Sequence, residues 1–422
     1  MAKINRINGK KTISVIGLGV VGLTTAVGFA LKGHKVIGID IDPEKVRKIN
    51  EGTCPIYEEG LSFALKEVNL TATADHRQAL NSDITFLCGG TPPKADGSID
   101  LFFLEEPAKQ LAAVLKEKKG EHLVVVRSTV VPGTTEQVIV PVLNHNEKVG
   151  ICVNPEFLRE GTAVEDFMTP SRIVIGEKNE KWGDMLADVY KDYNAPILRT
   201  DFSTAEMIKQ ASNAYLATRV SFINEIGNIC KSLGMDVYEV AKGMGLDSRI
   251  GGDYLNAGIG FGGFCLPKDL SALISSAKDT NYRARILEEV QRLNLKQPVR
   301  ILTILKKHIP VLKGATIGIL GLAFKPGTDD IRKSQAIEII HALEEEGAKV
   351  TAYDPQAMRN FRKVFPDSVK YATANEVLNA DAVLILTEWD EFNNLDYRGK
   401  IVIDGRRVLK AREARIYEGI CW

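Results

Sequence analysis

The chain has 422 residues, 45% of them hydrophobic, and sets 54 Lys and Arg against 54 Asp and Glu. That length supplies roughly three domains, and the charge balance excludes a whole-molecule field for nucleic acid or a membrane surface. No apolar run approaches a membrane span. The six cysteines (Cys54, Cys88, Cys152, Cys230, Cys265 and Cys421) form neither CxxC pairs nor a Cys/His cluster, which excludes a zinc site or a disulfide scaffold in a chain this large.

The N-terminus is basic, but TISVIG behind it is too short for a signal core and reads as a first strand. A cytoplasmic protein is expected. Residues 12–22, TISVIGLGVVG, run into Gly17-x-Gly19-x-x-Gly22, a helix-like stretch to Leu31, a turn at Gly33 and a second strand ending at Asp40. Strand, glycine turn, helix, strand and acidic residue are the context in which this motif binds a dinucleotide. Gly17 permits the tight turn, Gly19 the approach of a pyrophosphate, and Gly22 close helix–strand packing. Asp40 suits a ribose 2′-hydroxyl and repels a 2′-phosphate, which favours NAD over NADP. Further strands follow, DITFLCGG from Asp83, HLVVVRST from His122 and VGICVNPEF from Val149. Thr91, Ser128, Thr129 and Glu156 stand at their carboxyl ends, where an open parallel sheet binds its ligands. Each alone would suit a helix cap; together they mark one rim of a cleft. Cys88 and Cys152 lie in apolar runs and read as small core residues.

Residues 203–233 have apolar positions at helical spacing through Met207, Ala211, Ala214, Ala217 and Val220, with no proline. One long helix is expected, capped by Ser203 with Glu206, ending near Gly234, and offering a dimer surface. Lys209 and Asn213, four apart, share a face of it; a solvated polar stripe is the plainer reading of such a pair.

Four glycines, Gly258, Gly260, Gly262 and Gly263, then crowd the approach to Cys265 in GIGFGGFCLPKDL. Glycine lets backbone approach a ligand closely or take positive φ, and Pro267 suits a first helical turn. Cys265 is therefore expected just outside a helix N-terminus and beside Lys268, both of which favour thiolate. The alternative is a glycine turn holding an inert thiol.

The last third begins again. TISVIGLG from Thr12 matches TIGILGLA from Thr316, KGHKVIGIDIDP matches EGAKVTAYDPQA, NSDITFL matches NADAVLIL, and HLVVVRST matches KIVIDGRR, in the same order. This is an internal repeat. The copy lacks the fingerprint, with Ala323 in the place of Gly19. Gly17 to Asp40 spans 23 residues and Gly321 to Asp354 spans 33, the insertion falling around FKPGTDDIRK. Lys325, Arg332 and Arg406 near its strand ends suit a different phosphate-bearing ligand. The expected architecture is α/β: two Rossmann-like, doubly wound domains joined by a central long-helix domain, with boundaries at 1–200, 201–310 and 311–422.

A nicotinamide site with an activated cysteine implies oxidation of an alcohol to a carboxylate in two steps. The thiol attacks the intermediate aldehyde, and a second oxidation gives a thioester that water opens. Lys209 and Asn213 suit the reacting oxygen. Asp269 suits a water or Lys209, or merely complements the helix dipole. Glu156 suits thioester hydrolysis. A two-electron dehydrogenase with an inert Cys265, and an NAD-binding sensor without turnover, are the alternatives.

The whole chain resembles the UDP-glucose/GDP-mannose dehydrogenase superfamily. The resemblance rests on GLGVVG, STVVPGTT, NPEFLREGTAVEDF, PSRIVIG, KQASNAYLATRVSFINEI, RIGGDYLNAGIGFGGFCLPKD, GLAFKPGTDDIRKS and DGRR, taken in order. It implies Cys265 as nucleophile, Lys209 and Asn213 as the pair stabilising the reacting oxygen, Asp269 as the carboxylate working with the lysine and a water, and Thr129 and Glu156 around that water. It leaves the base open between Asp269, Glu156 and Lys209. For NAD it implies Gly17, Leu18, Gly19, Val20, Val21, Gly22, Asp40, Lys45, Thr91, Ser128, Thr129, Val130, Glu160, Cys265, Lys268 and Arg332. For the sugar nucleotide it implies Glu156, Phe157, Leu158, Arg159, Glu160, Lys209 and Asn213, then Tyr254, Leu255, Asn256, Gly258, Gly260, Phe261 and Gly262, and finally Phe324, Lys325 and Arg406. Arg249 matches an arginine that in relatives reaches the substrate of the partner subunit, which implies a homodimer or larger homo-oligomer. PSRIVIG and GLAFKPGTDDIRKS lean towards UDP-glucose, with GDP-mannose and UDP-N-acetylhexosamines as the related substrates. Three departures stand out: Val20 for a usual Tyr, Gly89 and Gly90 for bulkier residues, and Phe264 for a common Ser beside the thiol.

Overall fold

A computed structural model describes residues 10–143 and 147–422; the first nine residues of the basic N-terminus lie outside the described residues. The chain forms two compact units that divide between Ser212 and Asn213.

The first unit is built on eight strands, β1 (Thr12–Ile16), β2 (Lys35–Ile39), β3 (Leu70–Thr73), β4 (Ile84–Leu87), β5 (His122–Val126), β6 (Val149–Val153), β7 (Ile173–Glu177) and β8 (Ile197–Thr200), in the order β3-β2-β1-β4-β5-β6-β7-β8. Every neighbouring pair is parallel except β6–β7. β4 and β5 are buried along their whole length, which is why ITFL and HLVVV read as continuous apolar runs rather than alternating ones. Strand alternation still sorts their side chains. Ile13, Val15, Phe86, Leu123 and Val125 join one core cluster, and Ile16, Leu87, Val124 and Val126 join the other.

The second unit carries six parallel strands, β9 (Thr316–Leu320), β10 (Lys349–Tyr353), β11 (Val369–Tyr371), β12 (Ala382–Ile385), β13 (Ile401–Asp404) and β14 (Ile416–Gly419), ordered β11-β10-β9-β12-β13-β14. This is the order of the first six strands of the other sheet, and the four sequence matches fall on β1/β9, β2/β10, β4/β12 and β5/β13. The insertion in the copy lies where expected, because the helix after β9 begins only at Gln335. The helices of the middle of the chain share one core with this sheet, joining Ile223, Val237, Leu255 and Ile301 to Ile319, Ile340, Leu384 and Ile403.

The long helix runs unbroken from Phe202 to Leu233. Its cap differs from the expected one. Asp201, not Ser203, receives the Thr204 backbone N–H, at 2.9 Å, a contact of a type that contributes about 1 kcal/mol. Glu206 turns away to accept from the backbone N–H groups of Gly133 at 2.7 Å and Thr135 at 2.8 Å. At the far end Gly234 takes φ 72°, and Met235 donates back to the Cys230 carbonyl at 2.9 Å, a left-handed stop that only glycine adopts cheaply. Among the described residues no helix is long and apolar enough to cross a membrane.

Candidate active site

The turn after β1 divides its work among three glycines, as the sequence suggests. Gly17 takes φ +89° and donates to the Ile39 carbonyl at 2.8 Å. A Cβ on Gly22 would stand 1.7 Å from the Gly17 carbonyl oxygen, so the helix Val20–Leu31 packs against the turn only because that atom is missing. A Cβ on Gly19 would meet nothing within 4 Å. Gly19 is also the N-cap and supplies no capping side chain, so the N–H groups that follow are open to an anion. Asp40, just past β2, is buried and accepts from Leu18 N at 2.7 Å and Asp42 N at 3.0 Å, with the Lys45 ammonium 3.3 Å away. These residues fit NAD: an open cradle for the pyrophosphate, and a carboxylate at the end of the neighbouring strand for the ribose. Thr91 donates to the Thr129 carbonyl at 3.0 Å, and Ser128 to the Gly89 carbonyl at 2.7 Å, which ties the ends of β4 and β5 into one rim. Val130 is buried beside them.

On the same unit the turn after β6 carries Glu156, whose carboxylate accepts from the Leu158 backbone N–H. Lys209 of the long helix lies 3.2 Å from Glu156, and both side chains are 5% exposed. A buried pair of this kind is held by its geometry, and loss of one member costs about 3–5 kcal/mol. The ring of Phe157 lies under the Lys209 ammonium at 5.4 Å and under the Arg172 guanidinium at 3.7 Å. Arg159 is exposed and held by Asp166 at 2.6 Å, and Glu160 is half-buried in the same turn. Two residues here escaped the sequence reading. Arg172 lies in PSRIVIG, a quoted stretch whose arginine drew no role. Glu58 accepts from Gly161 N at 3.0 Å and Ala163 N at 2.9 Å and fixes the turn from a distant part of the chain, with no local signal to reveal it.

The long helix continues into the second unit, carrying Asn213 one turn after Lys209. Asn213 donates to Asp269 at 2.6 Å, and Lys268 pairs with the other oxygen of the same carboxylate. Asp269 is 1% exposed. Cys265 is the first residue of the helix Cys265–Asp279 rather than a residue outside it, with Phe264 as N-cap. Its side chain is exposed, whereas Cys88, Cys152, Cys230 and Cys421 are buried. Burial pushes the thiols of Cys88, Cys152 and Cys421 up to about 12, far from reactivity.

Two of the glycines before Cys265 take positive φ, as the sequence allows, Gly260 at 100° and Gly263 at 80°. The space for a Cβ is taken by protein: the Gly405 carbonyl at 2.5 Å from Gly258, Asn294 Oδ1 at 2.6 Å from Gly260, the Lys333 carbonyl at 2.3 Å from Gly262, and the Phe324 ring at 2.8 Å from Gly263. They let the segment lie flush against the loops after β9 and β13 and against the helix Arg285–Lys296. Asn294 and Gln335 complete the fixation. Asn294 Oδ1 accepts from Phe261 N at 2.8 Å, and Gln335 donates to the Phe261 carbonyl at 2.6 Å. Leu255 is buried, Asn256 is exposed and Tyr254 holds φ 59°, a left-handed conformation uncommon outside glycine. Phe324 and Lys325 are half-buried in the loop after β9. Arg406 donates to the Leu386 carbonyl at 3.0 Å. Arg332 is 53% exposed, pairs with Asp330 at 2.6 Å and lies over the Phe264 ring at 4.4 Å. The Arg249 side chain is 87% exposed and paired with Asp247 at 2.6 Å.

Comparison with known proteins adds three results. Family models described as the NAD binding, central and UDP binding domains of the UDP-glucose/GDP-mannose dehydrogenase family match residues 11–194, 203–296 and 318–411. The chain is 46% identical to the UDP-glucose 6-dehydrogenase AglM of Haloferax volcanii, over 97% of this chain and 99% of that one. It is 40% identical to the UDP-glucose 6-dehydrogenase TuaD of Bacillus subtilis, over 96% and 90%. The solved structure of a UDP-glucose dehydrogenase from Pyrobaculum islandicum, 43% identical, superposes with a TM-score of 0.96 over 100% of both chains.

Proposed function

The chain belongs to the UDP-glucose/GDP-mannose dehydrogenase family and is an NAD-dependent enzyme of it; from that premise we propose that it oxidises UDP-glucose to UDP-glucuronate through a thioester on Cys265. The observation that carries this reading is the thiol itself: an exposed cysteine at the start of a helix, one turn before the buried Lys268–Asp269 pair.

NAD supplies the hydride acceptor for both oxidations, held by the turn Gly17–Gly22, Asp40 and the rim of Thr91, Ser128, Thr129 and Val130. Lys209 and Asn213 bind the C6 oxygen of the sugar and stabilise the charge that grows on it as C6 loses its hydride and the hydroxyl its proton. The Cys265 thiolate adds to the C6 carbonyl of the resulting aldehyde and forms the thiohemiacetal. Departure of the second hydride leaves C6 as a thioester. Water then adds to the carbonyl, the C–S bond breaks, and the thiol and the free carboxylate are released. Glu156, 3.2 Å from Lys209, is the group assigned to move the proton of that water, with Thr129 near it. Asp269, gripped by Asn213 and Lys268, holds Asn213 in position for the oxygen. The uridine nucleotide is assigned to Phe157, Leu158, Arg159 and Glu160, to Tyr254–Gly262, and to Phe324, Lys325 and Arg406. Arg249, exposed and paired with Asp247, is assigned to the substrate of a second copy. The proposed division of labour is 1–200 for NAD, 201–310 for catalysis and dimerisation, and 311–422 for the UDP-sugar.

A panel of UDP- and GDP-sugars, with NADH counted per acid formed, tests the reading. UDP-glucose is expected to give two NADH per uronate. A preference for GDP-mannose or a UDP-N-acetylhexosamine would reassign the substrate within the family, and one NADH per ketone would overturn the thioester route.

A further inference from the structure

Arg407, next to the proposed nucleotide ligand Arg406, has no part in the chemistry above, yet it holds an unusual conformation. Its φ is 63°, left-handed in a residue with a long side chain. Such a conformation persists only where its surroundings over-determine it. Three contacts do so. The backbone N–H groups of Arg406 and Arg407 both donate to Asp404 Oδ1 at 2.8 Å, and Val408 N donates to Oδ2 at 2.8 Å, so the carboxylate that ends β13 clamps the whole turn. The Arg407 guanidinium then lies 3.8 Å over the ring of Tyr238 and bonds Asp236 at 3.1 Å. Asp236 is itself fixed, as the N-cap of the helix Val237–Gly245.

Tyr238 passes the connection on. Its hydroxyl donates to the Ala257 carbonyl at 2.8 Å, and Ala257 sits between Asn256 and Gly258 in the segment assigned to the sugar nucleotide. That segment meets the same turn a second time, where Gly258 packs against the Gly405 carbonyl. Arg407 therefore joins two stretches proposed to hold one ligand, the turn that presents Arg406 and the segment 254–263. The planar guanidinium suits this task, because it lies flat on the ring and directs an ion pair from its edge at once; an ammonium is a point charge with neither plane nor fork.

We propose that Arg407 is a positioning residue for the nucleotide-sugar site, braced by Tyr238 and Asp236 so that Arg406 and the segment 254–263 keep a fixed spacing. The proposal rests on the assignment of Arg406 to the substrate. Its test is steady-state kinetics of the full chain with UDP-glucose and NAD for Arg407→Gly, Arg407→Gln, Arg407→Lys and Arg406→Ala. Arg407→Gly keeps the left-handed turn without strain, so folding is preserved and only the brace is lost. The expected result is a roughly tenfold rise in KM for UDP-glucose in the Gly and Gln variants, since the lost bracing contacts are worth on the order of a factor of ten. Their kcat and KM for NAD should stay within about twofold, and Arg407→Lys should recover part of the loss. An unchanged KM in the Arg407 variants beside a raised KM in Arg406→Ala would overturn the brace alone. An unchanged KM in Arg406→Ala as well would overturn the substrate assignment and the brace with it. A parallel fall of kcat and rise of both KM values in Arg407→Gly would also overturn the brace, as the mark of a merely structural role.

Discussion

The first strand and turn of the two Rossmann halves share a set of hydrogen bonds and then part at one residue. Gly17 and Gly321 take φ values of 89° and 98° and donate to Ile39 and Tyr353, each at 2.8 Å. Leu18 and Leu322 donate to Asp40 and Asp354, each at 2.7 Å. The Thr12 and Thr316 backbone N–H groups donate to matching carboxylates, Asp83 and Asp381, at 2.9 and 2.8 Å. At the next position they part. Gly19 faces open space and starts a helix. Ala323 is buried, donates to Asp354 at 3.0 Å and receives the Thr387 hydroxyl at 2.6 Å. Asp354 also accepts the Trp389 indole N–H at 3.0 Å and two further backbone N–H groups, so its acceptor capacity is spent inside the protein. Topology makes the crevice available, and the residues that line the first turn, with their partners, decide whether a dinucleotide can use it.

Substitutions at these positions can break or sharpen the contrast. Gly22→Ala should have the largest effect, because its methyl has no room: a loss of about 3 kcal/mol or more in denaturant unfolding, together with NAD binding. Gly19→Ala should spare stability and raise KM for NAD by at least about tenfold, consistent with the open space on its protein side; equal loss of stability in the two variants would contradict the division of roles. Acid should separate the halves next. Burial lowers the His122 pKa to about 4 from 6.5, within a closed network in which Thr85 meets one ring nitrogen at 2.8 Å and the Ser82 carbonyl the other at 3.1 Å. The unfolded chain takes up that proton first, so stability is full above about pH 6.5 and is lost as pH falls towards 4. The loss is about 3 kcal/mol at 1.36 kcal/mol per pH unit. β13, which begins at Ile401, has no counterpart of His122. Hydrogen exchange should therefore weaken in β5 before β13, and His122→Gln should flatten the difference. Asp40→Asn should lower the preference for NAD over NADP by about tenfold, as a repelling charge is removed. The smallest effect belongs to Ala323→Gly. Asp354 and Trp389 still close that crevice, so calorimetry should find one NAD per chain before and after.

The periodic and repeated parts of the chain were open to reading. Fully buried parallel strands appear as unbroken apolar runs, and three glycines with an acidic residue on the next strand carry their roles in their spacing. What the chain hid was long-range. Nothing local distinguishes Ser203 from Asp201 as the cap, because Glu206 is drawn off by backbone N–H groups some seventy residues away. The glycines from Gly258 to Gly263 signal a close approach, but not what they approach inside the protein: Gly405, Asn294, Lys333 and Phe324, all further along the chain. Lys209 was legible as a candidate, but its pairing with Glu156 depends on the turn after β6 meeting the long helix. The left-handed Arg407 gave no sign either, since its conformation is imposed by Asp404, Tyr238 and Asp236 together.

The thiol remains the centre of the account, and Cys265→Ser tests it most directly. The variant is expected to fold, to bind NAD as the parent does, and to release no UDP-glucuronate from UDP-glucose, while the parent releases one uronate for every two NADH. Uronate production by Cys265→Ser at the parent rate would contradict a covalent intermediate on this residue.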